Sequence, residues 1–370
     1  MVREALEGNF REHGELGAAV AIELEGEPVV DIWAGWADEA QTRPWERDTL
    51  VAVFSVGKAM AALCVLMLAE RGRLDLDAPV AEYWPEFAAR GKADVTVRTL
   101  LCHRAALPAL RRALSDADAY DWEQMTAALA DEEPWWPPGS THGYHVNTFG
   151  FLGGEIVRRV SGCSFGEFFR GEVAGPLEAD FHFGLGPEHD GRVAEYLFAG
   201  ESSRFRDEGA EERQAVGLNE AKRFLLSRAY LNPPGLSGIG TVNTRAWRAA
   251  EIPSANGHAT ARAVARIYSA LLAGRIIAPN TLDEATTEAS AGPDFVLGRP
   301  SRFGLGFQLT QPERPLGPNP RSFGHFGAGG SLGFADPDAG IAFAYVLNHS
   351  GPRWQNPRNR ALLDAVYAAL

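Results

Sequence analysis

The sequence predicts an α+β fold: an antiparallel sheet built from both ends of the chain and flanked by helices, interrupted by a mostly helical lobe. Three observations carry this. Short strand-like runs cluster within residues 17–37 and return within 303–347, and helical periodicity dominates between them. Strands and helices segregated in this way point to α+β rather than to alternating α/β units. One segment, Val56–Ala69, is apolar almost throughout and too short to span a membrane, which places it as a helix inside a core. A chain of 370 residues is long enough for two lobes. The predicted division is a discontinuous sheet lobe, 1–74 with 255–370, and a helical lobe, 75–254, with the active site between them.

Taken in order, residues 2–13 read as a surface helix. Gly17–Glu25 and Pro28–Ala37 read as a hairpin turning at Gly26-Glu27. Asp48-Thr49-Leu50 leads into the central helix, which Glu70-Arg71-Gly72 ends with polar residues and a glycine stop. Further helices are predicted at 96–102, 122–130, 148–160, 165–173, near 217–230, and at 260–273. Long loops are expected elsewhere in 186–240. Strands are predicted at 303–309, 321–326, 331–336 and 341–347, and a closing helix at 357–370.

The chain is 45% hydrophobic and 22% charged, with a net charge of −13. That charge speaks against nucleic acid or an anionic membrane as partner, since both select basic surfaces. Cys64, Cys102 and Cys163 are odd in number and sit in structured segments, as reduced core thiols do. The N-terminal segment has an amphipathic pattern and no apolar export stretch, so the expected location is the cytoplasm.

The chemistry begins at Phe54-Ser55-Val56-Gly57-Lys58. Residues at i and i+3 share one helical face, so the Ser55 hydroxyl and the Lys58 amine can meet. Burial disfavours a charged lysine, lowering its pKa by about 3–5 when complete, and the positive helix N-terminus acts in the same direction. A neutral or proton-sharing Lys58 would activate a serine that is a poor nucleophile unaided. The other lysines, Lys92 and Lys222, lie in polar sequence. Alone, S-x-x-K is a weak pattern. Two later stretches add to it: Gly143-Tyr144-His145-Val146-Asn147, after a loop containing Trp135 and Trp136, and Gly324-His325-Phe326-Gly327-Ala328. His142 and His145 have no acidic or cysteine companion at zinc-site spacing, so no metal is expected.

In this order the three motifs resemble those of the serine β-lactamase-like hydrolases, closest to the class C β-lactamase-like (family VIII) carboxylesterases, and the resemblance runs over nearly the whole chain. Leu100–His103 before Ala106-Leu107-Pro108, and Phe334–Pro337, fit it as well. The resemblance implies a β-lactamase/penicillin-binding-like fold, Ser55 as the acylated nucleophile, Lys58 as its activator, and Tyr144 as general base and later proton donor. A free tyrosine has a pKa of about 10, so as a base it needs the cationic help of Lys58. The backbone N–H groups of Ser55 and Ala328 would form the oxyanion hole. His325, Phe326 and Gly327 stand where the β-lactamases carry K-T-G, and with Val146 and Trp135 they are expected to contact substrate, Gly327 by allowing close backbone approach.

Two departures shape the substrate expectation. Val146 occupies the position of the β-lactamase asparagine, and His325 replaces the K-T-G lysine. Both changes remove groups that grip penicillins and suit a neutral ester. The reading is therefore a cofactor-free hydrolase of short-chain carboxylic esters, with a small-molecule ester as its partner. An amidase or D-aminopeptidase, a weak β-lactamase, an acyltransferase and a catalytically silent binding protein remain as alternatives. Gly329-Gly330-Ser331-Leu332-Gly333 matches the G-x-S-x-G nucleophile elbow, but that motif needs a strand-to-helix turn, and here a strand pattern follows.

Overall fold

The computed structural model describes residues 1–198, 220–352 and 354–370. Its main sheet has eight antiparallel strands in the order β2-β1-β11-β10-β9-β8-β7-β6. These are β1 (Gly17–Leu24), β2 (Glu27–Gly35), β6 (Ser290–Pro293), β7 (Pro300–Phe303), β8 (Gln308–Leu309), β9 (Phe323–Phe326), β10 (Leu332–Asp336) and β11 (Ile341–Leu347). Three two-residue strands, β3 (Val51–Ala52), β4 (Phe181–His182) and β5 (His258–Ala259), form a small second sheet. The longer helices are α1 (Val2–Glu12), α2 (Val56–Glu70), α3 (Trp122–Asp131), α4 (Thr148–Ser161), α5 (Glu220–Leu231), α6 (Ala261–Leu272) and α7 (Pro357–Tyr367). Residues 217–219 of the helix predicted near 217–230 lie outside the described residues.

β11 is buried at every position, because β1 and β10 flank it and α6 packs across all three. α2 is buried from Val56 through Leu68 and lies against α4 and β9. A helix with no polar face has nowhere to go but the interior. Gly72, with φ of 66°, follows its last residues and ends it.

Some boundaries differ from the sequence reading. The first hairpin turns on Glu25 and Gly26, with φ of 51° and 88°, and pairs Leu24 with Glu27. A two-residue loop of this twist needs positive φ at both central positions, which moves the turn one residue earlier than predicted. The single strand expected at 303–309 is two strands, β7 and β8. Gly306, at φ of 82°, turns the chain between them, and a Cβ there would fall 2.1 Å from the Ala62 Cβ of α2. The chain bends there because it must clear the central helix. Strand β6, the three short strands and a helix at Pro279–Thr286 were not predicted; they are short or lack strong periodicity.

The chain ends meet in a buried charged cluster. Glu15 pairs with Arg358 of α7 at 3.2 Å and accepts a hydrogen bond from the Tyr345 hydroxyl, while Arg358 also donates to the carbonyls of His13, Gly14 and His349. Burial pushes the Glu15 carboxyl up to about 7 against the opposing pull of Arg358. An unfolded glutamate titrates near 4.5. Between these values the folded chain holds a proton that the unfolded chain has released, so this contribution is full below pH 4.5 and is lost as pH rises towards 7. Glu15→Gln is expected to gain on the wild type in urea melts across that window, by at most about 1.4 kcal/mol per pH unit. A stability difference constant from pH 4.5 to 7.5 would refute the assignment.

Candidate active site

Ser55 is the N-cap residue of α2, a position where a serine hydroxyl ordinarily accepts a backbone N–H. Here it makes no such bond. Its Oγ lies 2.9 Å from Lys58 Nζ instead, as the i, i+3 spacing requires. The residue before it, Phe54, holds a φ of 49°, a conformation costly for a side chain of that size. Phe54 is wedged against Tyr196 at 4.7 Å between ring centroids and against Trp247 at 6.2 Å. Tertiary packing therefore imposes the backbone that presents Ser55.

Lys58 has no solvent exposure and donates to the Ser254 carbonyl at 3.0 Å. Burial drives its pKa well below that of an ordinary lysine. Its Nζ also sits 4.9 Å from the centroid of the Tyr144 ring. Two glycines bring the Ser254 carbonyl to this place. A Cβ on Gly57 would fall 2.3 Å from the Pro253 carbonyl oxygen, and one on Gly150 would fall 2.4 Å from the Ser254 nitrogen. The Ser254 hydroxyl in turn accepts the Gly150 N–H at 2.6 Å.

Tyr144 is buried beside Lys58. Its ring stacks on Phe303 at 5.9 Å and meets the edge of Trp354 at 5.1 Å. Its neighbours are fixed by imidazoles. His103 accepts the His145 N–H through Nδ1 at 3.1 Å, and its carbonyl accepts the Gly143 N–H at 3.0 Å. His145 donates from Nδ1 to the Gly143 carbonyl and accepts the Leu107 N–H at Nε2, a neutral imidazole used as a strut. Burial lowers its pKa to about 4, so it stays uncharged.

Ala328 opens the turn Ala328–Gly330 after β9, and its carbonyl accepts the Tyr196 hydroxyl at 3.1 Å. The first N–H groups of a helical turn have no partner within it, and both Ala328 and Ser55 stand at such a start. Ser55, Tyr144, Val146 and Ala328 line one open cleft, with an empty volume of about 890 Å³ counted out to solvent. Ser254, Trp354, Tyr230 and Ile239 share that lining, which carries no charged side chain among the described residues.

Four expected substrate contacts do not line this cleft. Trp135 donates its indole N–H to the Ala109 carbonyl and is covered by the Arg111 guanidinium, so it packs beside the site. Phe326 is buried beneath the sheet surface and lines a separate small cavity. Gly327 does admit a close backbone approach, but to the chain and not to a substrate: a Cβ there would lie 2.4 Å from the Val53 carbonyl oxygen. That contact presses the end of β9 against the segment leading to Ser55. His325 is fully buried, donates from Nδ1 to the Phe326 carbonyl at 2.7 Å, and is held uncharged by burial, which lowers its pKa to about 3. It supplies no positive charge in place of the missing lysine.

One further correction concerns lysine, while the rejection of Ser331 as a nucleophile elbow agrees with the structure. Lys92 is also buried, with Nζ donating to the carbonyls of Ala130 and Glu132 at 2.9 and 2.5 Å. Apolar surroundings therefore do not set Lys58 apart; its contact with Ser55 does. Ser331 is buried and runs directly into β10, so no nucleophile elbow forms. No group of side chains suited to a metal occurs among the described residues. Sequence reasoning missed Phe54, Ser254 and Trp354, for which no local pattern exists.

Comparison with known proteins identifies the family. The Beta-lactamase family matches residues 2–368. The chain is 39% identical to the esterase/beta-lactamase LipL of Mycobacterium tuberculosis over 343 residues, covering 90% of this chain and 77% of that protein. It is 29% identical to the esterase EstB of Burkholderia gladioli, covering 97% and 92%. The crystal structure of a family VIII carboxylesterase superposes with a TM-score of 0.90 at 40% identity, covering 100% of this chain and 96% of that one. No helix among the described residues is long and apolar enough to cross a membrane. The chain has the β-lactamase/penicillin-binding-like fold and belongs to the β-lactamase family, among its esterase/β-lactamase-like serine hydrolases.

Proposed function

We propose that this enzyme hydrolyses neutral, short-chain carboxylic esters through an acyl-enzyme on Ser55. The observation that carries the reading is the fully buried Lys58 amine 2.9 Å from the Ser55 hydroxyl, beside a cleft whose lining carries no charged side chain among the described residues. Burial disfavours the ammonium form of Lys58 and so weakens it as the cation that would hold Tyr144 as a phenolate, and the roles shift. The amine donates one hydrogen to the Ser254 carbonyl, and its lone pair accepts the Ser55 proton as Oγ attacks the ester carbon. The oxyanion is met by the N–H groups of Ser55 and Ala328. The ammonium so formed lies against the Tyr144 ring, an arrangement that favours the charge. Tyr144 relays the proton from that ammonium to the alkoxide, and the alcohol leaves. Water then attacks the acyl carbon, its proton returns through the same relay to Ser55 Oγ, and the carboxylic acid is released.

Neutral substrates follow from the lining and from two side chains. Asn147, one residue past the usual asparagine position, spends its amide N–H groups on Ser237 at 2.9 Å and Ala229 at 3.2 Å. His325 offers a carboxylate nothing but a neutral ring. Three unpaired thiols, two of them buried, suit a reducing compartment such as the cytoplasm. Hydrolysis of p-nitrophenyl acetate, butyrate and octanoate beside nitrocefin tests the proposal. Acetate and butyrate are expected to lead, with nitrocefin at least about 100-fold lower in kcat/KM, a ratio matching the loss of buried polar contacts. Nitrocefin preferred over every ester would replace the esterase reading with a β-lactamase one.

A further inference from the structure

Asp294 opens the loop between β6 and β7, 150 residues from Tyr144 in sequence. Its side chain has no exposure. Among the described residues no lysine or arginine pairs with it, and the His142 ring lies 3.8 Å from its Oδ2. A buried carboxylate without a cation is expensive unless hydrogen bonds replace its water. Here they do. The Tyr144 N–H is shared between both carboxylate oxygens at 3.1 Å each. The Val296 and Leu297 N–H groups reach Oδ1 at 2.8 Å, and the Ser301 hydroxyl reaches Oδ2 at 2.8 Å. His142 Nε2 lies 2.9 Å from that hydroxyl, and its carbonyl accepts the Phe295 N–H at 3.0 Å.

We infer that Asp294 is a positioning residue for the reaction: its carboxylate clamps the backbone at Tyr144 and so sets the phenol against Lys58 and the reacting ester. Three of its bonds shape its own loop, as an aspartate does at many turns. The bond that leaves the loop goes to the one residue of the Tyr144 motif proposed to move a proton. The ring of that residue is then backed by Phe303, which lies on β7 of the same hairpin. One hairpin thus holds Tyr144 at both its backbone and its face. An asparagine in this place keeps the shape but has one acceptor oxygen, and its amide hydrogens would face N–H groups that now find an acceptor. A displacement of about 1 Å at a reacting group can lower a rate by about 100-fold.

This inference rests on the proposed role of Tyr144, and the experiment separates the two. Asp294→Asn and Tyr144→Phe are compared with wild type on p-nitrophenyl butyrate, with kcat expressed per serine titrated by a fluorophosphonate. Asp294→Asn is expected to lose at least about 10-fold in kcat with KM within about twofold, since the substrate's cleft is unchanged while the proton relay is displaced. A purely structural aspartate would lower the titratable fraction and leave kcat per site at the wild-type value, and that result overturns the inference. Should Asp294→Asn fail to fold, Ser301→Ala decides: a kcat at least about threefold lower at constant KM supports the clamp, and an unchanged kcat overturns it. Full activity in Tyr144→Phe removes the role of Tyr144 and the inference with it. Inactive Tyr144→Phe beside normal Asp294→Asn sinks the clamp alone.

Discussion

Ser55→Ala is expected to remove ester turnover by about 10⁴-fold or more while leaving the fold intact. Lys58 contacts the Ser55 hydroxyl, whereas Ser254 Oγ accepts the Gly150 N–H and Ser331 is buried at the start of β10. The unusual feature is how little the substitution should cost in stability. A serine at a helix N-cap normally contributes about 1 kcal/mol by capping, and this one caps nothing. Its loss removes only the hydrogen bond to Lys58, whose amine keeps the Ser254 carbonyl. A change in unfolding free energy within about 1 kcal/mol is therefore expected. Kinetics on p-nitrophenyl butyrate and a urea melt on the same preparation check both halves. Activity surviving in a folded Ser55→Ala would end the acyl-enzyme assignment.

Lys58→Met carries the opposite signature in stability and nearly the same one in activity. Loss of the proton acceptor is expected to lower kcat by about 10³-fold, within the range for a general base in a concerted site. Meanwhile burial lowers the pKa of Lys58 in the folded chain, whereas the unfolded lysine is protonated up to about pH 10.5. Unfolding therefore takes up a proton between the depressed folded value and 10.5. Wild-type stability from this group rises with pH between the depressed folded value and 10.5, by about 1.4 kcal/mol per pH unit at most. Methionine has similar length and no charge to lose, so Lys58→Met should be more stable than wild type at pH 7, with the gap narrowing as pH increases towards 10. Melts at pH 6, 7.5 and 9 measure this. A less stable variant at every pH would mean that Lys58 is held charged.

Much of this protein is legible in its sequence for reasons that lie within a few residues. The core placement of α2 follows from an unbroken apolar run, and the meeting of Ser55 and Lys58 follows from helical spacing alone. The first hairpin and β9 to β11 are legible because each strand is bounded by turn residues, though the turn at Glu25-Gly26 shows that turn chemistry sets the boundary. Val146 and Ala328, drawn from the motifs, do face the cleft with Ser55 and Tyr144.

The misplaced residues share one feature: their sequence position told nothing about which side of the chain the substrate would approach. His325, Phe326 and Gly327 stand one after another beside Ala328, yet only Ala328 reaches the cleft. Gly327 is pressed on Val53, Phe326 points into the sheet's own packing, and His325 is sealed with its proton on Nδ1. Trp135 looked like pocket wall because it precedes Tyr144, but Trp354, near the far end of the chain, takes that place.

By itself the sequence determined where most of the longer elements form, that a serine and a lysine share one buried helical face, and that the chain resembles the β-lactamase-like hydrolases. The first two are consequences of periodicity and spacing, which act over a turn or two of chain; the third rests on the resemblance of three ordered motifs. The tertiary structure alone decided the left-handed backbone at Phe54, the carbonyl of Ser254 on Lys58, the charge state of Lys58 and His325, and the carboxylate of Asp294 under Tyr144. Each joins residues 100 to 200 positions apart or arises from exclusion of water, and both effects exist only once distant segments have closed around a common interior.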